Sequence, residues 1–273
     1  MPTSALALAL GAAFLHAFWN LILARSRDVE AATAVALVAG VVAFAPVTAL
    51  EWEAESRVWP FLVATSLLQL TYFVLLVAAY NRAELSFVYP IARGSAPVLV
   101  LLAGVVLLAE AASATQVGGV LLVGAGVFLV RGIRGGAGVG DLMLALAIGA
   151  CIATYTLLDQ RGIQYASPLV YQELSMIPAT LGFLTLALVR RGKRAVRAEF
   201  GPATVAAGLA TFGAYILVLA ALSRAPAASV AAVRETSVVI ATALAVPLLR
   251  ERVGPTRLAG AVLVVTGVAL LGI

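Results

Sequence analysis

Ten long apolar runs separated by short polar gaps make up the chain: approximately 4–24, 31–50, 58–80, 85–108, 114–130, 141–158, 167–189, 203–222, 226–248 and 257–273. Each is close to the roughly 20 residues that cross the hydrocarbon layer as a helix. The runs are continuous and lack the alternation, in segments of about ten residues, of a membrane barrel strand. Lipid offers a backbone N–H or C=O no partner, which excludes an open sheet and leaves helices. The pattern predicts an all-α integral membrane protein with ten transmembrane helices and no soluble domain. The first ten residues carry no basic side chain, so the first run is expected to remain as a span rather than be cut away as a leader.

The second half echoes the first. "AAYNRAELSFV" (78–88) matches "AALSRAPAASV" (220–230) at an offset of 142, and "LLAE" (107–110) matches "LLRE" (248–251) at an offset of 141. Thr115, Gly119 and Gly126 then align with Thr256, Gly260 and Gly267. A repeat of five spans inverts with each copy. The expectation is therefore two inverted five-helix repeats, 1–134 and 135–273, around a central cavity, joined by the glycine-rich "GIRGGAGVG" (132–140). Inverted repeats with a site at the midplane characterise secondary transporters.

Composition narrows the class. The chain is 63% apolar and 11% charged, where a soluble domain carries about 25% charged residues. The net charge of +5 forms no continuous basic face, so no nucleic-acid partner is expected. The partner is a lipid bilayer, and a multi-pass place in the plasma (inner) membrane is expected. One cysteine, Cys151, rules out an intrachain disulfide and a thiolate metal site. With Arg257, at the edge of the tenth run, counted in the last gap, the odd-numbered gaps hold 13 of the 18 Lys and Arg residues and the even-numbered gaps hold 3. Positive gaps stay cytoplasmic, which predicts that both termini lie outside.

The paired "LLAE" and "LLRE" turns, each followed by a G-x₆-G span (119–126, 260–267), resemble the drug/metabolite transporter superfamily, specifically EamA-type permeases. "HAFWN" (16–20) and "YPIARGSAP" (89–97) are similar to the first and fourth spans of one branch. The resemblance covers nearly the whole chain. It implies ten helices, a central cavity and transport of small metabolites, often by export. Most members are drawn with cytoplasmic termini, and the charge count here points the other way.

The candidate chemistry lies where polar residues interrupt the runs. An arginine at the bilayer centre costs roughly 2.5–3.5 kcal/mol on insertion scales, so deep charges usually face a protein interior or a wet cavity. Arg93 lies in the fourth run between Pro90 and Pro97, with Tyr89 and Ser95 nearby. The prolines are expected to interrupt that helix and free carbonyls. Arg234 and Glu235 lie in the ninth run. Under the offset of 142 Arg93 aligns with Glu235, and an ion pair across the halves is expected. Two arginines against one deep glutamate give a local charge of about +1, favouring a substrate with an acidic group.

His16, Trp19 and Asn20 share one helix face, and His16 could carry a proton. Gln69, Tyr72, Tyr155 and Tyr215 complete the expected cavity lining. Glu173 is expected near an interface, and Asp28 and Asp159 at span ends. "GVGD" (138–141) resembles an aspartyl-protease motif, but a facing second carboxylate is missing, and Asp141 is expected to cap its helix. The glycines of the fifth and tenth runs are expected to pack the two repeats, or a homodimer. No nucleotide-binding motif is present, and neither a cofactor nor an enzymatic activity is expected. The sequence therefore predicts a secondary permease for a small polar metabolite, amino-acid-like or an organic anion, with proton coupling open; the alternatives are a membrane enzyme or lipid-handling protein acting on a headgroup in the same cavity, or a non-transporting membrane scaffold.

Overall fold

The computed structural model describes residues 1–81, 85–131, 138–249 and 254–272. The 82–84 and 250–253 turns and most of the 132–140 linker, with the expected 134/135 boundary, lie outside the described residues, as does the side chain of Tyr89. Among the described residues the architecture is all-α. The helices are α1 (Thr3–Leu23), α2 (Val29–Leu50), α3 (Trp59–Asn81), α4 (Leu85–Leu108), α5 (Ala114–Arg131) and α6 (Val139–Gly162). There follow α7 (Pro168–Ala198), α8 (Pro202–Leu222), α9 (Ala227–Arg234), α10 (Thr236–Leu249) and α11 (Pro255–Gly272). Eight are long and apolar enough to cross a membrane, and α5 is a shorter apolar helix.

Helix ends follow local chemistry. Asp28 accepts the Ala31 N–H at 3.1 Å and starts α2. Ser167 does the same for α7 through Val170, with Pro168 in the first helical position. The Gly138 N–H donates to the Asp141 carboxylate at 3.2 Å, the capping role expected of Asp141. α7 runs past its apolar part into the basic 190–197 segment through Gly192, whose φ of 83° an L side chain rarely adopts.

Two expectations about helix breaks change places. α4 runs unbroken from Leu85 to Leu108 despite Pro90 and Pro97. The ninth run breaks instead at Glu235, between α9 and α10. There the backbone tightens: the Glu235 N–H reaches the Ala232 carbonyl and the Val238 N–H reaches the Glu235 carbonyl, each at 3.0 Å. The Thr236 hydroxyl donates to the Val233 carbonyl at 2.8 Å. A local side-chain bond of this kind competes with the regular ladder.

In lipid there is no hydrophobic drive between helices, so close packing of small residues holds them. α1 buries Ala5, Ala9, Ala12 and Ala13, at i, i+4, i+7 and i+8, and lies along α8 and the α9–α10 pair. Its counterpart in the second half, α6, lies along α3 and α4. α2 packs on α7, and α5 packs on α11. The α5–α11 seam is reciprocal. A Cβ on Gly119 would come 2.8 Å from the Gly267 carbonyl oxygen, and one on Gly267 would come 2.6 Å from that of Gly119. Gly126 and Gly260 stand in the same relation at 2.7 Å each way. Only glycine permits this backbone-to-backbone approach, and it joins the two halves of the chain.

Candidate functional site

Arg93 and Glu235 meet. The Arg93 Nε donates to Glu235 Oε2 at 3.0 Å, with 5% of Arg93 and none of Glu235 exposed. α4 carries one group and the α9–α10 break the other, so the pair bridges the halves well inside the apolar layer. A small void of about 10 Å³, room for roughly one water, touches Arg93 and is lined by Tyr72, Val88, Ile148 and Ile152.

Arg234 turns the other way. Its guanidinium lies against Tyr155, and its charge acts on Asp159 and Tyr215. It is 4% exposed, and its Nε and Nη2 have no hydrogen-bond partner. Glu235 Oε1 is likewise buried and unpartnered. Buried polar groups are normally bonded because each unmet one costs about 1–3 kcal/mol. Unmet N–H donors on Arg234 and an unmet carboxylate oxygen on the next residue are groups a small polar ligand would satisfy.

Three of the expected tyrosines line up. Tyr72 and Tyr155 have ring centroids 6.4 Å apart, and Tyr155 and Tyr215 have centroids 6.2 Å apart, both edge to face. They draw α3, α6 and α8 around the two arginines. The remaining candidates point elsewhere or stand apart. Ser95 lies against Gly149 of α6, and its hydroxyl turns back to the Ala92 carbonyl. Gln69 is buried on α3 with Oε1 unpartnered. His16 and Trp19 touch edge to face at 4.8 Å, and the Asn20 side chain donates to the His16 carbonyl at 2.8 Å. Trp19 packs with Leu23, Ala32, Ala36 and Ala207, at the α1–α2–α8 contact.

Two carboxylates near helix ends are buried within the protein. Asp159 lies in the last turn of α6, the span end expected of it, but it is fully buried there. Its Oδ1 accepts from the Thr65 hydroxyl at 2.7 Å and the Tyr171 hydroxyl at 3.0 Å, and its Oδ2 accepts from the Tyr215 hydroxyl. Asp159 thus joins Glu235 as a second buried acidic group within reach of the charges of Arg93 and Arg234. Glu173, expected near an interface, is 2% exposed on α7, with both carboxylate oxygens unpartnered. A second, larger hollow of about 550 Å³ opens at the ends of α1 and α8, lined by Phe18, Ile22, Arg25, Arg27, Glu199 and Thr204. Its charged rim belongs to the turns.

The sequence matches the EamA-like transporter family twice, over residues 3–132 and again over 140–273. No curated protein matches it. A solved crystal structure, described only as that of a protein, superposes with a TM-score of 0.80 over 99% of this chain and 96% of its own, at 19% identity. At that identity the likeness is one of fold. The two family matches together span nearly the whole chain, one on each half, and the chain belongs to the EamA-like transporter family.

Proposed function

We propose that this chain is a secondary permease that moves a small polar metabolite across the plasma membrane by alternating access. The observation that carries the reading is the buried Arg93–Glu235 bridge between the halves, with the adjacent residue Arg234 also buried and carrying unpartnered donors. Deep charges are expensive in lipid and mark a substrate or ion path. In this reading the α9–α10 break is one crossing, giving ten spans in two inverted repeats, 1–134 and 135–273. The reciprocal helix contacts described above support that arrangement.

The balanced charges favour a substrate that carries both signs. An amino-acid-like zwitterion fits two arginines and two carboxylates better than a simple organic anion does. Arg234 would take the acidic group through its free N–H fork, and Glu235 Oε1 would meet the ammonium. Tyr72, Tyr155 and Tyr215 would wall the passage. Proton coupling is part of the proposal, through the buried carboxylates. The test is exchange of labelled amino acids in proteoliposomes, with and without an imposed pH gradient. Saturable exchange with the native chain, lost in Arg234→Gln, is expected. Equal flux in Arg234→Gln would remove that residue from the site, and no exchange of any zwitterion or small anion would end the permease reading.

A further inference from the structure

We infer that Asp159 is a gating residue. Its carboxylate, with Thr65, Tyr171 and Tyr215, forms the latch that closes the site toward the face carrying the 51–58 and 163–167 turns. The purpose of the latch rests on the permease reading, but its existence can be measured without any flux.

The latch joins helices from both halves. Thr65 is on α3 of the first half, and Asp159, Tyr171 and Tyr215 are on α6, α7 and α8 of the second. Thr65 and Tyr171 also approach each other at 3.2 Å, so the hydroxyls form a chain around Oδ1. All three hydroxyls end on one carboxyl group, and hydrogen bonds to an ionised carboxylate are roughly twice as strong as neutral ones. Asp159 stands one turn from the end of α6, between that aqueous face and the Arg93–Glu235 pair. Above it, toward the same face, lie further ties. The Glu55 N–H reaches the Tyr165 carbonyl at 2.8 Å, and the Ser167 N–H reaches that of Glu53 at 3.1 Å. Gln160 donates to the Ala225 carbonyl at 3.2 Å, and Arg161 faces Glu110 at 3.7 Å.

The opposite face lacks this latch at the matching place. Counted back from the helix ends, Asn20 of α1 stands where Asp159 stands in α6, three residues before Leu23 and Gly162. Asn20 turns back onto its own helix. Ala32, Ala36 and Ala207 pack with Trp19 and Leu23 at that end. Two halves built alike thus close differently: one face on a carboxylate ringed by hydroxyls, the other on Glu30 and Asp28 of α2 held by Arg190 and Arg191 of α7. For the site to face the 51–58 side, α3 must part from α6 and α7, and the Asp159 bonds must be exchanged for water.

The test is side-specific labelling. Cys151 is replaced by alanine and Ile152, which lines the void beside Arg93, by cysteine. An impermeant thiol reagent is applied to intact cells and, separately, to inverted vesicles. Asp159→Asn keeps the shape, removes the charge and sets an amide N–H against hydroxyl donors. It is expected to raise the labelling rate by about tenfold from the face bearing the 51–58 turn and to leave the other face unchanged. The paired variant Thr65→Val/Tyr171→Phe removes two donors but keeps the carboxylate, and the same one-sided rise is expected should Asp159→Asn fail to insert. An unchanged rate, or a rise from both faces, overturns the inference. One-sided labelling in a chain that moves no substrate would sink the permease reading and leave the latch standing.

Discussion

Replacing Glu235 with alanine removes the carboxylate that the Arg93 Nε bonds at 3.0 Å in a buried site. Two unit charges 3.0 Å apart attract by about 5–6 kcal/mol at an effective permittivity near 20. Part of that offsets the desolvation of both groups, but removing one partner does not return the other to water. The single variant is therefore expected to lose about 3–5 kcal/mol. For a domain of this size each kcal/mol moves the melting temperature by about 2–4 °C, so a drop of roughly 10 °C is expected in detergent, read by tryptophan fluorescence or by loss of the monodisperse peak on size exclusion. Arg93→Met should cost a similar amount. The double variant Arg93→Met/Glu235→Leu should recover much of the loss, because a buried ion pair replaced by apolar groups of similar volume is often neutral. A double-mutant cycle should therefore return a coupling of about 2 kcal/mol or more. Singles within about 1 kcal/mol of the native chain, or additivity within about 0.5 kcal/mol, would refute the claim that this pair clamps the two halves.

Other outcomes follow from the same geometry. Gly126→Ala places a methyl 2.7 Å from the Gly260 carbonyl oxygen; backbone must move, and a loss of about 1–3 kcal/mol is expected, visible as a lower melting temperature. Gly140→Ala meets nothing within 4 Å and should leave the melting temperature within about 2 °C of native. Arg191→Gln strips Glu30 of its 2.7 Å partner but leaves Arg190 at 3.4 Å; with the arginine partly exposed, the cost should stay near 1 kcal/mol and shrink in high salt. A cysteine at Arg194, in a chain whose Cys151 is replaced, should resist an impermeant thiol reagent in intact cells and react in inverted vesicles; the reverse would invert the orientation drawn from the charge count.

Much of this structure was legible in the residues. Apolar run lengths located the helices because a membrane span needs length and apolarity and little else. The Arg93–Glu235 contact was legible because a repeat offset of 142 is also the separation of the bonded pair. Two aligned positions can meet only near the axis relating the copies. Asp159 was not legible. "LLDQRG" (157–162) reads as the polar end of a run, and what buries Asp159 are hydroxyls 12, 56 and 94 residues away. No local pattern records which face α3, α7 and α8 present there. One signal was available: Tyr155 and Asp159 repeat the i, i+4 spacing of His16 and Asn20. Glu173 escaped for the same reason, since hydropathy gives depth along a helix but not which side of it is covered. The prolines of α4 misled differently. A helix can absorb a proline without breaking, whereas the ninth run breaks at Glu235, where Thr236 offers its hydroxyl to the backbone.

The glycine seam between α5 and α11 bears on how such a chain could move at all. Carbonyl oxygens resting under 3 Å from where side chains would begin leave no lubricating layer between the two helices. A displacement of even half a residue would drive peptide groups into one another. That seam is the fixed mast of the assembly. Under the proposed alternating access, movement would pivot about it, and the helices that carry Thr65, Arg93, Asp159 and Glu235 would travel.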